Sequence, residues 1–177
     1  MSRNRKTDED NWLHSAIMKF FMPKLTWKFG LRLALVALVT WFIFSKLLII
    51  SYVNGDSMLP TYHTGNILVC WTMAYRNQPP QPGDVVMIAY NGHSVMLLKR
   101  VVAVAGDTVQ FKDGRLLVNG AVPDAPWAET PGSDWDSEPL TIAPGCVYAV
   151  GDNRSMPIRE HLHGEVSVAD IVGKSLF

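Results

Sequence analysis

The hydrophobic pattern divides the chain into two unequal parts. Residues 27–45, WKFGLRLALVALVTWFIFS, form a near-continuous apolar block, close to the ~20 residues a helix needs to cross a hydrocarbon core. From residue 46 the apolar residues come in short runs: LLIISYV, NILVCWTMAY, DVVMIAY, VMLLKRVVAVA, DTVQF, RLLVNG and CVYAVG. Each is rich in β-branched or aromatic residues and bounded by Gly, Pro, Asn or Asp, which is the pattern of strands. Lys112-Asp113-Gly114-Arg115, between TVQF and RLLV, predicts a tight hairpin. Residues 121–145 are rich in Pro, Asp and Gly and read as a surface excursion inserted into the β body. No repeat of solenoid period is visible. The expected fold is mainly β: a lead-in over 1–26, amphipathic and partly helical over 11–26, a single N-terminal transmembrane helix over 27–45, and a β-rich domain over 46–177.

Charge gives the apolar block a direction. The formal net charge is zero, and charged residues make up only 18% of the chain against 48% apolar ones, which excludes a disordered chain. Before residue 51, Arg3, Arg5, Lys6, Lys19, Lys24, Lys28, Arg32 and Lys46 outweigh Asp8, Glu9 and Asp10. The body is mildly acidic. By the positive-inside rule, residues 1–26 stay in the cytoplasm and 46–177 lie outside. Lys28 and Arg32 can snorkel along their stems, and Trp27 and Trp41 suit the two interfaces. A cleaved secretory signal is the rival reading, but small residues at A-x-A spacing are missing just after the block; a buried core helix is another. The body has no basic stripe, so nucleic acid is not an expected partner. Cys70 and Cys146 both fall on the outer side, where a disulfide and two buried free thiols are open alternatives. Their spacing does not suit a zinc site.

Two residues draw attention as chemistry. Ser57 sits in NGDSMLPT, where a turn ends the strand LLIISYV. Gly55 can take the positive φ of a sharp turn and Pro60 stiffens its exit. Such a turn presents a hydroxyl beside backbone N–H groups, as a nucleophile with an oxyanion hole requires; it is also what an ordinary turn serine looks like. Lys99 stands in the apolar strand VMLLKRVVAVA, with Leu97 and Val101 on its face by period-two alternation. A lysine there is buried, snorkelling or paired. To act as a base near neutral pH it must drop about three units from ~10.4, at about 4 kcal/mol, which desolvation can supply. A pairing of Lys99 with Asp152 is the structural alternative, although Arg100, on the opposite face, suits that carboxylate better. Among histidines, His14 is on the wrong side, His63 is too near Ser57, His93 lies in a turn, and His161 and His163 share a face from which a metal pair with Glu165 is a weak reading. Most of the five histidines read as surface residues.

Taken together, the motifs resemble the type I signal peptidases, Ser-Lys proteases that remove signal peptides from exported proteins. GDSMLPT is similar to the family's nucleophile motif, PGDVVMI to its next block, LLKRVVAVAGDTV to the block of the catalytic lysine, and VYAVGDNR followed by GEVSVADIVGKSLF to its last block and C-terminus. They stand in family order over 46–177, directly after the anchor. The resemblance implies Ser57 as nucleophile, Lys99 as general base and the Ser57 backbone N–H as oxyanion donor. Gly55 occupies the position where some members add a hydroxyl. Val53, Met58 and Leu98 would line small apolar pockets for the residues before the cut. Gly151, Asp152, Asn153 and Arg154 match a supporting loop, in which Asp152 is expected to pair with Arg100. The implied partners are signal-peptide-bearing precursors and membrane lipid, in a single-pass protein of a bacterial-type cytoplasmic membrane, without metal or organic cofactor.

The chain departs from the family after GDNR. There the family has a serine and then Asp-Ser-Arg, whereas this chain reads SMPIREHLHG. Pro157 falls where the family places a serine that bonds the lysine, which leaves that task to Ser155 or to a water. The rival functions are a specialised peptidase for one dedicated partner, such as a pilin or secretion subunit, and a catalytically impaired anchored binding homologue.

Overall fold

The computed structural model describes residues 26–90, 95–129, 132, 134–162 and 164–176. The lead-in, apart from Thr26, lies outside these residues, as do His14, His93 and His163. The chain divides into two units, Met1–Ile43 and Phe44–Phe177. Helix α1, Trp27–Lys46, has 20 residues. The Thr26 hydroxyl accepts the Phe29 N–H at 3.3 Å at its start, as a capping side chain does. It is long and apolar enough to cross a membrane.

Among the described residues, the second unit has ten strands. Seven make one sheet in the order β1 (Leu48–Tyr52), β2 (Ile67–Trp71), β10 (Ile171–Ser175), β3 (Val85–Tyr90), β4 (Val95–Val104), β8 (Cys146–Val150) and β9 (Gly164–Ser167). A second sheet runs β6 (Arg115–Val118), β5 (Thr108–Lys112), β7 (Leu140–Thr141). All the pairings are antiparallel. The β5–β6 hairpin forms at the expected residues: Lys112 faces Arg115, and Asp113 and Gly114 have φ of 50° and 76°. Two positive φ values in a two-residue loop match the right-handed twist of the flanking strands.

Alternation sorts the side chains of the large sheet onto two faces. On one, Val86, Ile88, Val101, Val147 and Ala149 pack together; on the other, Val85 and Met87 join Val53, Met58, Tyr62 and Leu68. A third cluster joins the two sheets through Val102, Phe111, Leu116, Tyr148 and Val150.

One expectation is corrected and two open points are decided. Residues 121–145 are no mere surface excursion: Trp135, Ile142 and Ala128 are buried, and Leu140–Thr141 adds β7 to β5. Trp135 packs edge-on against Phe111 with ring centroids 4.8 Å apart, and its Nε1–H donates to the Met156 carbonyl at 2.8 Å. A large aromatic with a satisfied N–H is stable inside, whatever the polarity of its neighbours. Cys70 and Cys146 are free thiols, in β2 and β8, with β10, β3 and β4 between their strands. His161 is buried, because the segment after GDNR folds back against Trp135.

Candidate active site

The turn bearing Ser57 begins where β1 ends. Gly55 adopts φ of 105°, a region that favours glycine, and its N–H donates to Thr64 Oγ1 at 3.1 Å. Met58 is buried beneath the turn, and its carbonyl accepts the Tyr62 N–H at 2.9 Å. Ser57 itself is half-buried, and among the described residues its N–H has no hydrogen-bond partner. The next layer fixes this turn from behind. Asn153 donates its backbone N–H to the Ser57 carbonyl at 3.0 Å and its side-chain amide to the Asp56 carbonyl at 2.9 Å. Gly151 lies so close to the Ser57 carbonyl and the His161 ring that any Cβ there would collide with both.

Lys99 comes from β4, opposite Val86 of β3. It is 4% exposed, and no hydrogen bond or ion pair reaches its amine from the described residues. Burial pushes its pKa down to about 8, against an upward pull from Asp152. An amine so placed is largely protonated at neutral pH but loses its proton at modest cost. The Asp152 carboxylate is bound elsewhere. Arg100 Nε and Nη2 donate to it at 2.7 and 2.6 Å, Thr61 Oγ1 donates at 2.5 Å, and Arg100 Nη1 reaches the Gly83 carbonyl at 2.7 Å. The two-pronged ion pair therefore forms on the face away from Lys99, tying β4 to the loop after β8.

Ser57 and Lys99 line one cavity of about 100 Å³, whose other walls include Val53, Gly55, Met58 and Leu98. Leu68, Met87 and Met96 line it too. These three escaped notice in the sequence because they lie in runs of uniformly apolar residues, where nothing marks one as a wall. Beside the cavity, β4 has an open edge. β3 pairs with residues 95–100, but β8 pairs only from Arg100 onward, so the other edge of 95–99 has no strand partner among the described residues.

Arg154 and Ser155 stand apart from the cavity lining. The Arg154 guanidinium is fully buried, 5.6 Å from the Phe111 ring centre and 5.5 Å from that of Trp135, and its Nε donates to the Gly151 carbonyl at 2.8 Å. Burial pushes its pKa down to about 10. The Ser155 hydroxyl donates to Asn153 Oδ1 at 2.5 Å and is exposed. Of the two open alternatives for a partner of Lys99, this disfavours Ser155: two residues after Asn153 it closes a local side-chain turn instead. His161, an exception among five histidines that mostly read as surface residues, has its Nε2 2.7 Å from the Asn153 carbonyl oxygen. A carbonyl only accepts, so Nε2 carries the proton. The signal in the sequence was Gly151, the small residue that lets a ring come close.

A family model described as signal peptidase, peptidase S26, matches residues 26–177. Signal peptidase I S of Bacillus subtilis (strain 168) is 33% identical over 168 residues, covering 86% of this chain and 87% of that protein. Signal peptidase I of Bacillus caldolyticus is 29% identical over 161 residues, covering 84% and 86%. Probable thylakoidal processing peptidase 2, chloroplastic, of Arabidopsis thaliana is 32% identical over 133 residues, covering 71% of this chain but 36% of that longer protein. With its apolar helix, its serine turn and its buried-lysine strand all inside the matched range, the chain belongs to the signal peptidase family, peptidase S26.

Proposed function

We propose that this protein is a membrane-bound serine endopeptidase that removes signal peptides from exported precursors, with Ser57 as nucleophile and Lys99 as general base. The observation that carries this reading is the shared cavity: half-buried Ser57 and buried Lys99, whose amine is unpaired among the described residues, line the same small space. An extended peptide fits along the open edge of β4 at 95–99 by main-chain hydrogen bonds. Val53, Met58 and Leu98 then meet the small side chains preceding the cut.

The chemistry follows from the groups. Neutral Lys99 takes the Ser57 proton as Oγ bonds to the scissile carbonyl carbon. The resulting oxyanion is held by the Ser57 N–H. As the intermediate collapses, the carbon–nitrogen bond breaks and Lys99 hands its proton to the leaving amine. A water that gives its proton to Lys99 then attacks the ester, and Ser57 regains a proton as the acid departs. Helix α1 holds the enzyme at the lipid surface, with the basic residues 1–26 on the cytoplasmic side and the β domain outside.

A panel of exported precursors, incubated with the full chain in lipid vesicles and read by sequencing the product N-termini, tests this. Cleavage of many precursors after a small residue is expected. Cleavage of a single precursor would point to a dedicated processing role, and cleavage of none would overturn the reading.

A further inference from the structure

Among the described residues, Lys99 lines a second cavity besides that of Ser57. The second, of about 280 Å³, opens on the face of the sheet that carries Lys99 itself and is walled by Ile88, Tyr90, Leu97, Ala149, Leu162 and Val166. Register explains the company. Ile88 faces Leu97, Tyr90 faces Val95, Ala149 faces Val101, and Val166 faces Val147, so alternation puts these side chains on one face. Glu165 also borders this space, but it sits opposite Tyr148, on the other face, and its carboxylate accepts the Ala143 N–H at 3.3 Å. Asp170 stands at the rim, exposed. The cleft is thus mostly apolar, and its deep wall holds a lysine that is 4% exposed and unpaired among the described residues.

A protein substrate is continuous across the bond being cut. The residues before the cut occupy the Ser57 cavity and the free edge of β4. That edge ends at Lys99, because the next residue, Arg100, is paired with Val150 of β8. A chain lying along the edge therefore has to leave it at the lysine. The side chain of Lys99 points to the face on which the second cleft opens. We propose that this cleft receives the first residues of the released chain, so that Leu162 and Tyr90, at its mouth, help decide which mature N-termini are accepted. The inference rests on the reading of the protein as a signal-peptide-removing endopeptidase and assigns the site for the leaving side of that substrate.

Leu162 is 49% exposed, so its replacement leaves the core intact. The experiment compares the full chain with Leu162→Glu and Leu162→Lys in vesicles. The substrates are two precursors identical except for Lys or Glu at the second position after the cut. The Lys-to-Glu ratio of kcat/KM should rise about three- to fivefold in Leu162→Glu and fall similarly in Leu162→Lys, the span expected of one partly exposed charge pair. Both changes should fade at high salt, and the preference for a small residue before the cut should not move. If the wild-type enzyme cleaves both precursors but the ratio is constant across the three enzymes, the cleft assignment is overturned alone. A change confined to the position before the cut overturns it too. If the wild type cleaves neither precursor, the functional reading falls and the inference falls with it.

Discussion

In the proposed mechanism, Lys99 sets a conflict between stability and chemistry at the scale of one side chain. Its pKa is lowered from 10.5 to about 8 by burial. The folded state therefore binds fewer protons here than the unfolded state, and stability rises with pH between these values. The penalty is absent above about pH 10.5, grows as pH falls, and is complete below about pH 8, where it is worth about 3 kcal/mol. Lys99→Met should accordingly raise the midpoint of urea unfolding at pH 7 while abolishing cleavage. In the wild type, kcat/KM should climb with pH and level off above about pH 8, because only the free amine accepts the serine proton. In Asp152→Asn the climb should move to lower pH, since Asp152 pulls the lysine pKa upward. His161 acts at one remove. It fixes the carbonyl of Asn153, and Asn153 fixes Ser57. His161→Ala should lower kcat about tenfold with KM little changed, the worth of one buried hydrogen bond. His161→Gln, which can keep a donor at the same reach, should restore most of the loss; equal loss in both variants would make the contact incidental.

Elements built from strong local signals were legible, and those built by distant partners were not. The β5–β6 hairpin follows from Asp113-Gly114 alone, because two residues with positive φ leave few sequences to choose from. Lys99 and Ser57 stood out because each breaks the pattern around it. Strands β7, β9 and β10 went unread. β10 contains Gly173, a poor strand former, and is held by insertion between β2 and β3; a Cβ at Gly173 would crowd the Trp71 carbonyl. Residues 121–145 are hard to read from sequence for a related reason. Their Pro, Gly and Asp residues describe a loop locally, while Trp135 answers to Phe111, Met156 and the Arg154 guanidinium, all distant or hidden in sequence terms. Trp135→Ala should cost about 3–5 kcal/mol of unfolding free energy, as fully buried aromatics do. A cost under about 0.5 kcal/mol, typical of surface loops, would restore the simpler picture of an excursion.

At the scale of the whole molecule, nothing covalent staples the β domain. Cys70 and Cys146 are free, so the melting temperature should be the same with and without a thiol reductant. Stability comes instead from three apolar clusters and from the Arg100–Asp152 pair that ties β4 to the loop behind Ser57. That division of labour leaves the lysine strand clamped on one face and, among the described residues, the amine without a partner on the other. The measurement that bears most directly on the central claim is cleavage of one signal-bearing precursor in lipid vesicles by the full chain, by Ser57→Ala and by Lys99→Ala, each checked for an unchanged circular dichroism spectrum. Both variants should fall to the rate of the precursor alone while remaining folded. Retention of cleavage by either folded variant would contradict the Ser57–Lys99 assignment.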